Sequence, residues 1–310
     1  MNFEDSILHG LSNKKWLSEL IRIETHKLRD IRGNFVVSPF IKTVNGKNRE
    51  LYNPSLEHKG ALKRIYKILS HLDIPDYIVG GVVGRSYVSN VEAHKENFYG
   101  IIVDIADFFP STDGNRVYRF FKCDMRQPSD IAKILTDLTT VQGKNGIFLP
   151  QGYPTSPILS FLAYRQMYAK LSDYAKNKNL IFTAYYDDLT FSSKFPISKK
   201  CKKEVIAIIE SFTLNVNRKK SRLTKLDHTK ITGCVILDNQ LKAPRKLQKE
   251  SFELYQDLGR CEEYSRDEVF KMLKMFIGKI SAIQLIEKDR RFPNYERRIK
   301  EVRDYLQVDH

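Results

Sequence analysis

Residues 181–193 read Ile-Phe-Thr-Ala-Tyr-Tyr-Asp-Asp-Leu-Thr-Phe-Ser-Ser. β-branched and aromatic residues dominate this stretch on both sides of Asp187-Asp188, a pattern that predicts two strands joined by a turn at the aspartates. Tyr185 and Phe191 flank the turn, so the carboxylates are expected beside apolar side chains. Such carboxylates are costly unless they are paired or bind a cation. Because an Asp-Asp turn alone is usually only a solvated turn, the rest of the chain must decide between the two readings.

A second buried strand ends in another aspartate. Gly100-Ile-Ile-Val-Asp-Ile105 is a short apolar run rich in β-branched residues, with Asp104 at its end. Asp104, Asp187 and Asp188 in one cleft would repel one another, and a divalent metal relieves that repulsion. Mg²⁺ takes one or two carboxylates plus substrate phosphates. Two ions roughly 3.5–4 Å apart can activate an attacking hydroxyl and stabilise the leaving oxygen of a phosphoryl transfer.

The charge of the chain indicates a polyanionic partner. Its 310 residues contain 52 Lys and Arg against 37 Asp and Glu, a net charge of +15. From Lys194 to Lys230, beside the strand-turn-strand, there are eleven basic against three acidic residues, whereas 244–310 has fifteen against thirteen. This clustering favours nucleic acid over a membrane surface. No apolar run approaches the roughly 20 residues that span a bilayer, and Glu4 and Asp5 argue against a signal peptide, so we expect a cytoplasmic protein with no membrane partner.

Periodicity along the chain predicts a mixed α+β fold. Ser129 is expected to cap one of its helices, and Asn45-Gly46 to form a tight hairpin turn. The predicted elements are a helical region at 1–32, strands at Phe35-Val36-Val37 with Phe40-Ile41 and at Arg49–Tyr52, helices at 60–72, from Ser129, at 157–176 and at 200–213, short strands within 214–240, and helices beyond Pro244 with a capping box at Ser265-x-x-Glu268.

Five segments follow one another in an order and spacing that carry far more weight than any one of them. They are Arg49-Glu-Leu-Tyr-Asn-Pro54-Ser55, Ile102-Val-Asp104-Ile-Ala-Asp-Phe-Phe109-Pro-Ser111, Leu149-Pro-Gln151-Gly152-Tyr-Pro-Thr-Ser-Pro157, Tyr185-Tyr-Asp187-Asp188 and Leu214-Asn-Val-Asn-Arg-Lys-Lys220-Ser221. They resemble, in turn, the fingers motif, the first palm motif, the template-supporting and nucleotide-supporting motif, the Tyr-x-Asp-Asp box and the Lys-bearing motif of reverse transcriptases.

Two further segments are similar to the retron type within that family. Asn90-Val-Glu-Ala-His94 and Ile231-Thr-Gly233 are each one conservative step from the retron patterns Asn-Ala-x-x-His and Val-Thr-Gly. The box departs from the pattern: Tyr186 stands where retron enzymes usually have Ala, and Ala184 where an Arg commonly precedes the Tyr. Neither position is a carboxylate, so the departures bear on nucleotide or primer fit and not on activity itself.

The resemblance implies an α+β right-hand polymerase with fingers, a palm of antiparallel sheet with helices, and a helical thumb. The expected division is 1–99 for fingers and entry to the palm, 100–240 for the palm with inserted fingers helices at about 112–148, and 241–310 for the thumb. The implied cofactor is Mg²⁺, two ions, with Mn²⁺ able to substitute.

The resemblance also implies roles for individual residues. Asp104, Asp187 and Asp188 would be catalytic and, with the Ile105 carbonyl, would hold the metals. Phe109 would be the sugar gate that excludes a 2′-hydroxyl, the alternative being a core Phe. The remaining expected nucleotide ligands are Arg49, Gln151, Gly152 and Lys220. Expected RNA-binding residues are Asn90, His94, Lys219 and Arg222, with a structural hydrogen bond as an equal alternative for Asn90 and His94.

The function implied is RNA-directed DNA synthesis by a retron. Such an enzyme would copy a structured noncoding RNA of the msr-msd type into branched multicopy single-stranded DNA from dNTPs, remain bound to this DNA product, and act in anti-phage defence with an accessory effector protein. Two rivals stay open: another bacterial defence or group II intron-like reverse transcriptase, and a palm-derived RNA-binding scaffold without synthesis.

Overall fold

A computed structural model describes residues 2–44, 46–144 and 146–307. The chain divides into two compact units. The first comprises Met1–Ser86, Ile101–Ser192 and Ile197–Leu223, and the second Tyr87–Gly100, Ser193–Pro196 and Thr224–His310. The predicted division into fingers, palm and thumb stays a prediction. Among the described residues, no helix combines the length and apolarity needed to cross a bilayer.

The helices confirm the predicted mixed class. In chain order they are α1 (Lys14–Ile21), α2 (Ile31–Asn34), α3 (Leu56–Leu69), α4 (Tyr87–Glu92), α5 (Gly114–Arg119), α6 (Ser129–Thr139), α7 (Ser156–Ala163), α8 (Arg165–Asn177), α9 (Lys199–Glu210), α10 (Arg245–Leu258), α11 (Arg266–Ile286) and α12 (Pro293–Gln307). Short 3-10 turns lie at Lys27–Arg29 and Cys261–Glu263, and a π-helical turn at Phe120–Asp124 follows α5.

The strands are arranged in small sheets with antiparallel pairing. They are β1 (Pro39–Val44), β2 (Lys47–Tyr52), β3 (Tyr99–Asp104), β4 (Val141–Gly143), β5 (Gly146–Phe148), β6 (Ile181–Tyr185), β7 (Asp188–Ser193), β8 (Arg222–Lys225), β9 (Lys230–Ile231), β10 (Cys234–Leu237) and β11 (Gln240–Lys242). The sheets are β1-β2, β4-β5, β6-β7-β3-β8 and β11-β10-β9.

The four-stranded sheet is the centre of the first unit's core. Five of the six β3 residues are buried, as expected for a strand covered on both faces. Phe182 and Phe191 are cross-strand partners whose rings stack at 4.6 Å. The β6-β7 hairpin predicted from 181–193 is confirmed, and it puts Asp188 at the first position of β7.

Several predicted elements differ from the structure near their ends. The region 1–32 is not one helical run, because α1 ends where Arg22 takes a left-handed conformation (φ 55°). Phe35 follows α2 and belongs to no strand, since β1 begins at Pro39. Asn45 of the predicted Asn45-Gly46 turn lies outside the described residues, although β1 and β2 on either side of it pair antiparallel.

Two helix predictions were wrong in detail for reasons of packing and capping. The helix predicted over 157–176 is interrupted at Tyr164, whose ring is buried against Phe108 and whose hydroxyl donates to the Ser111 carbonyl at 3.0 Å. Ser129 is the first residue of α6 and does not cap it; Pro128 takes the N-cap position. In the second unit, the capping box of Ser265 and Glu268 is confirmed at the start of α11.

Candidate active site

The two aspartates of the Tyr-x-Asp-Asp box lie where β6 turns into β7, Asp187 in a two-residue turn and Asp188 at the start of β7. Tyr185 pairs with Asp188, so Tyr186 and Asp187 form the turn, here named the aspartate turn. Tyr186 has φ 56°, a left-handed conformation that is uncommon for a residue with a large side chain. The hairpin is as predicted, but its turn lies one residue earlier than the predicted Asp187-Asp188, which leaves both aspartates at the end of the sheet.

Strand β3 brings Asp104 to the same end of the sheet. The Ile105 amide donates to the Asp187 carbonyl at 2.9 Å, which ties the residue after Asp104 to the aspartate turn. The backbone carbonyl of Asp104 accepts from the Asn217 backbone amide at 2.8 Å, and the backbone amide of Asp104 donates to the Ser221 hydroxyl at 3.1 Å. Asp104 is therefore fixed on both sides of its backbone and is only 6% exposed. The Ile105 carbonyl takes no part in these hydrogen bonds.

Lys220 neutralises part of the negative charge. Its ammonium lies 2.5 Å from Asp104 Oδ2, and its side chain keeps half of its surface exposed. The hydrogen bond to Asp104 raises the pKa of Lys220, and the charges of Asp104, Asp188 and Asp187 act in the same direction. Lys220 therefore stays a cation at neutral pH, directly against the buried carboxylate.

Ionisation of the other two carboxyl groups, those of Asp187 and Asp188, is disfavoured. Burial, followed by the charges of Asp187 and Asp104, raises the pKa of Asp188 to about 7. The pKa of Asp187 is also raised, mainly by burial and further by Asp104, while Lys220 and Arg49 oppose the rise. These mutual effects require the three carboxylates to lie close together. A bound cation would remove the penalty that their ionisation carries.

The donor set fits a hard divalent cation. Within residues 2–44, 46–144 and 146–307, no group of three or more acidic, imidazole or thiol side chains is arranged so that it could hold a metal ion by itself. Mg²⁺ is generally held by one or two carboxylates and completes its shell with substrate phosphates and water. The carboxylates of Asp104, Asp187 and Asp188 would supply the oxygen ligands. Lys220 provides one positive charge beside them through its ion pair with Asp104.

Two predicted nucleotide ligands, Gln151 and Gly152, lie against the backbone of Tyr52 on β2. The Gln151 carbonyl accepts from the Tyr52 amide at 2.9 Å, which docks the 149–152 loop on β2, the strand that carries the exposed Arg49. Gly152 has φ 110°, and a Cβ there would lie 2.6 Å from the Tyr52 carbonyl oxygen. Only glycine permits this approach. A cleft of about 1670 Å³ opens beside the loop, with Gln151 and Tyr52 in its lining.

Phe109 lies next to the aspartate turn. Its ring is 6.1 Å from the Tyr186 ring and 5.8 Å from Phe108. Phe108 is 3% exposed and belongs to the core, whereas Phe109 keeps part of its surface exposed. Phe109 is therefore not fully enclosed in the core, and its role as a sugar gate stays a prediction.

Asn90 and His94 are not at the surface. Both are fully buried within the second unit, and the Asn90 amide donates to the Thr232 hydroxyl at 3.1 Å. Burial lowers the pKa of His94 to about 3, so its ring is neutral at neutral pH and offers no charge to a phosphate. Their burial favours the structural alternative over direct RNA contact. Lys219 and Arg222 are exposed, as RNA contacts require.

The residues that support the aspartate turn were missed by sequence reasoning. Tyr168 on α8 is 1% exposed and donates its hydroxyl to the Tyr186 carbonyl at 3.1 Å. Gly80 packs on the other side, so close that a Cβ would lie 2.6 Å from the Tyr186 nitrogen. The Gly80-Gly81 doublet was a visible signal of close backbone approach, but nothing in the sequence around Tyr168 distinguishes it from an ordinary core tyrosine.

Comparisons with known proteins agree with this geometry. Residues 42–237 match the family described as reverse transcriptase (RNA-dependent DNA polymerase). The retron Se72 reverse transcriptase of Salmonella heidelberg is 31% identical over 223 residues, which cover 69% of this chain and 57% of that protein. The retron Ec86 reverse transcriptase of Escherichia coli is 29% identical over 249 residues, which cover 77% of this chain and 76% of that protein.

Similarity to solved structures is weaker. An apo telomerase from Candida tropicalis, truncated from its C-terminal domain, aligns with a TM-score of 0.48 and 13% identity over 67% of this chain and 55% of that chain. A similarity at this level does not support an assignment by itself. The family match spans the five motifs from Arg49 to Ser221 and includes all three aspartates. The chain therefore belongs to the reverse transcriptase family and is of the retron type.

Proposed function

We propose that this chain is an RNA-directed DNA polymerase that copies the RNA of a retron. The observation that carries the proposal is the group of three electrostatically coupled carboxylates, Asp104, Asp187 and Asp188, at one end of a buried sheet with Lys220 against them. A scaffold that only bound RNA would gain nothing from this arrangement, because buried acidic groups repel the phosphates of its ligand.

The site would hold two Mg²⁺ ions through Asp104, Asp187, Asp188 and the Ile105 carbonyl, and these ions would activate the attacking hydroxyl and stabilise the leaving pyrophosphate. The protein residues would position the reactants. Arg49 would bind the triphosphate through its planar guanidinium, and Lys220 would place a point charge near the leaving phosphates. Because Lys220 is bound to Asp104 in the free protein, it must release that carboxylate to take up this role.

Nucleotide selection would depend on Phe109 and on the 149–152 loop. Gln151 would contact the incoming dNTP, and the absence of a Cβ at Gly152 lets that loop lie directly on β2. The exposed face of Phe109 would lie under the ribose ring, where a 2′-hydroxyl would clash with it. The aromatic neighbour Tyr186 supports the ring from the side of the aspartate turn.

The RNA partner and the product belong to the same proposal. By analogy with the retron relatives, the chain would bind a cognate structured noncoding RNA, start DNA synthesis from one internal 2′-hydroxyl, and remain bound to the branched single-stranded DNA. Recognition of one folded RNA needs contacts beyond phosphate neutralisation, which is blind to sequence and steeply dependent on salt. A role in anti-phage defence with an effector protein completes the proposal.

The deciding experiment expresses the chain together with its neighbouring noncoding region. The nucleic acid that co-purifies is treated with RNase and then with debranching enzyme. We expect a short DNA of one sequence whose mobility changes on debranching. Heterogeneous or unbranched DNA, primed from a protein or from a 3′-end, would remove the retron proposal and leave another defence or group II intron-like reverse transcriptase. Bound RNA without any DNA would favour the non-catalytic scaffold.

A further inference from the structure

The backbone of the aspartate turn is held at two consecutive carbonyls. The Tyr186 carbonyl accepts the Tyr168 hydroxyl at 3.1 Å, and the Asp187 carbonyl accepts the Ile105 amide at 2.9 Å. The first donor comes from helix α8 and the second from the residue that follows β3. Helix α8 and the end of β3 therefore fix the orientation of the two peptide groups on either side of the Asp187 Cα, from which the side chain projects.

A separate segment, residues 77–80, packs against the backbone that leads into the turn. Residues 77–80 run beside β6: the Ala184 amide donates to the Tyr77 carbonyl at 2.7 Å, and the Val79 amide donates to the Ala184 carbonyl at 2.8 Å. This pairing places Gly80 against the backbone of Tyr186, where a Cβ would lie only 2.6 Å from the Tyr186 nitrogen. The turn cannot move toward Gly80 without a clash.

Such support is needed because the turn is strained. Tyr186 has φ 56°, and a non-glycine residue in this region persists only when the surrounding structure over-determines its conformation. Without its hydroxyl donor, the Tyr186 carbonyl would lose this part-buried hydrogen bond, and the turn would gain freedom to relax. Any relaxation would move Asp187, which is the next residue, and Asp188, which opens β7.

We propose that Tyr168 and Gly80 are positioning residues that hold the aspartate turn in the conformation in which Asp187 and Asp188 bind the divalent cations. Neither residue contacts substrate; both act through the backbone of Tyr186. The role of the cations in this proposal rests on the proposed polymerase function. The support that Tyr168 and Gly80 give to the turn rests only on the contacts described above.

The chain contains a matched control for Tyr168. Tyr164 is equally buried, at 1% exposure, and its hydroxyl also donates to a backbone carbonyl, that of Ser111, at 3.0 Å. Tyr168→Phe and Tyr164→Phe therefore each remove one hydroxyl and one part-buried hydrogen bond to a backbone carbonyl. If Tyr168 has only a structural role, the two variants should lose similar amounts of stability, cation affinity and activity. If Tyr168 positions the turn, the variants should differ in cation affinity and activity but not in stability.

The test compares wild type, Tyr168→Phe and Tyr164→Phe in three measurements: thermal melting, Mn²⁺ binding followed by electron paramagnetic resonance, and the Mg²⁺ dependence of kcat and KM. We expect similar melting temperatures for the two variants. We expect the Mn²⁺ dissociation constant and the half-saturating Mg²⁺ concentration of Tyr168→Phe to rise about tenfold, with kcat about 10- to 100-fold lower, as for residues that orient metal ligands. The KM for dNTP should stay close to wild type, and Tyr164→Phe should keep the wild-type cation requirement.

Gly80→Ala gives an independent perturbation of the same turn. Gly80 does not lie in the left-handed region, so the added methyl acts through its contact with the Tyr186 backbone. This variant should show the same loss of cation affinity, and it keeps the proposal testable should Tyr168→Phe fail to fold. Wild-type cation binding in a folded Tyr168→Phe or Gly80→Ala protein would overturn the proposal. If wild type binds Mn²⁺ but makes no DNA while Tyr168→Phe loses Mn²⁺ affinity, the polymerase proposal fails and the positioning role stands.

Discussion

Replacing Asp188 by Asn should stabilise the metal-free protein, and increasingly so as the pH rises from about 4 to about 7. Burial and the neighbouring carboxylates raise the pKa of Asp188 from 3.8 to about 7. A group whose pKa is raised by folding contributes stability below its unfolded pKa, and this contribution is lost as the pH rises through the folded pKa. In wild type Asp188 therefore lowers the stability of the fold progressively above its unfolded pKa of 3.8, with the full effect above about pH 7, and Asn removes the ionisable group.

The expected gain in the free energy of unfolding follows from the folded and unfolded pKa of Asp188. A pKa higher by roughly three, at about 1.36 kcal/mol for each pKa unit, gives an upper limit of roughly 4 kcal/mol for the destabilisation at high pH. Asp188 keeps part of its surface in contact with solvent, and solvent screening reduces such effects. We therefore expect Asp188→Asn to be more stable than wild type by ~2 kcal/mol at pH 8.5 and nearly equal to it at pH 4.5.

The assay is thermal or urea denaturation of nucleic-acid-free protein in EDTA between pH 4.5 and 8.5. Asp107→Asn is the matched control, because Asp107 is exposed and Asn is equally tolerated at its left-handed backbone position (φ 45°). Added Mg²⁺ should stabilise wild type at pH 8.5 more than Asp188→Asn. A stability difference that does not change with pH, or a destabilised Asp188→Asn at pH 8.5, would refute the assignment of a coupled carboxylate site.

Three further outcomes are expected. Asp187→Asn should abolish nucleotide incorporation with Mg²⁺ while a thermal melt shows an intact fold; undiminished synthesis would exclude Asp187 as a metal ligand. Phe109→Ala should lower the ratio of kcat/KM for dNTP over rNTP far more than it lowers dNTP turnover, and an unchanged ratio would assign Phe109 to the core. Asn90→Ala should destabilise the protein by about 0.5–1.5 kcal/mol, because the hydrogen bond from the Asn90 side chain to the Thr232 hydroxyl is lost; a wild-type melting temperature with weakened RNA binding would instead support direct RNA contact.

Local sequence was sufficient where the determinants of a structure lie within a few residues. The strands on either side of Asp187-Asp188 follow from β-branched and aromatic residues around a short turn. The capping box at Ser265 depends on a side chain three residues away, Glu268. Motif order likewise identified Asp104, Asp187, Asp188 and Lys220 as members of one site, although no local pattern states that they are in contact.

Local patterns were insufficient where distant parts of the chain compete with helix or strand propensity. The residues around Tyr164 continue a helical pattern, yet the helix breaks there because the Tyr164 ring packs on Phe108 and its hydroxyl reaches Ser111. Ser129 is a good capping residue in isolation, but Pro128 already holds the extended conformation that precedes the helix. Propensity is a weak prior that tertiary context overrides.

By itself, the amino-acid sequence determined the class of fold and the family and predicted the carboxylates of the candidate site, because these depend on residue types and on their order along the chain. Only the tertiary structure decided that Lys220 lies against Asp104 from 116 residues away, that Asn90 and His94 are buried, and that Tyr168 and Gly80 enclose the aspartate turn. Burial and long-range contacts arise from how the elements pack, and packing is a property of the whole core that no short segment encodes.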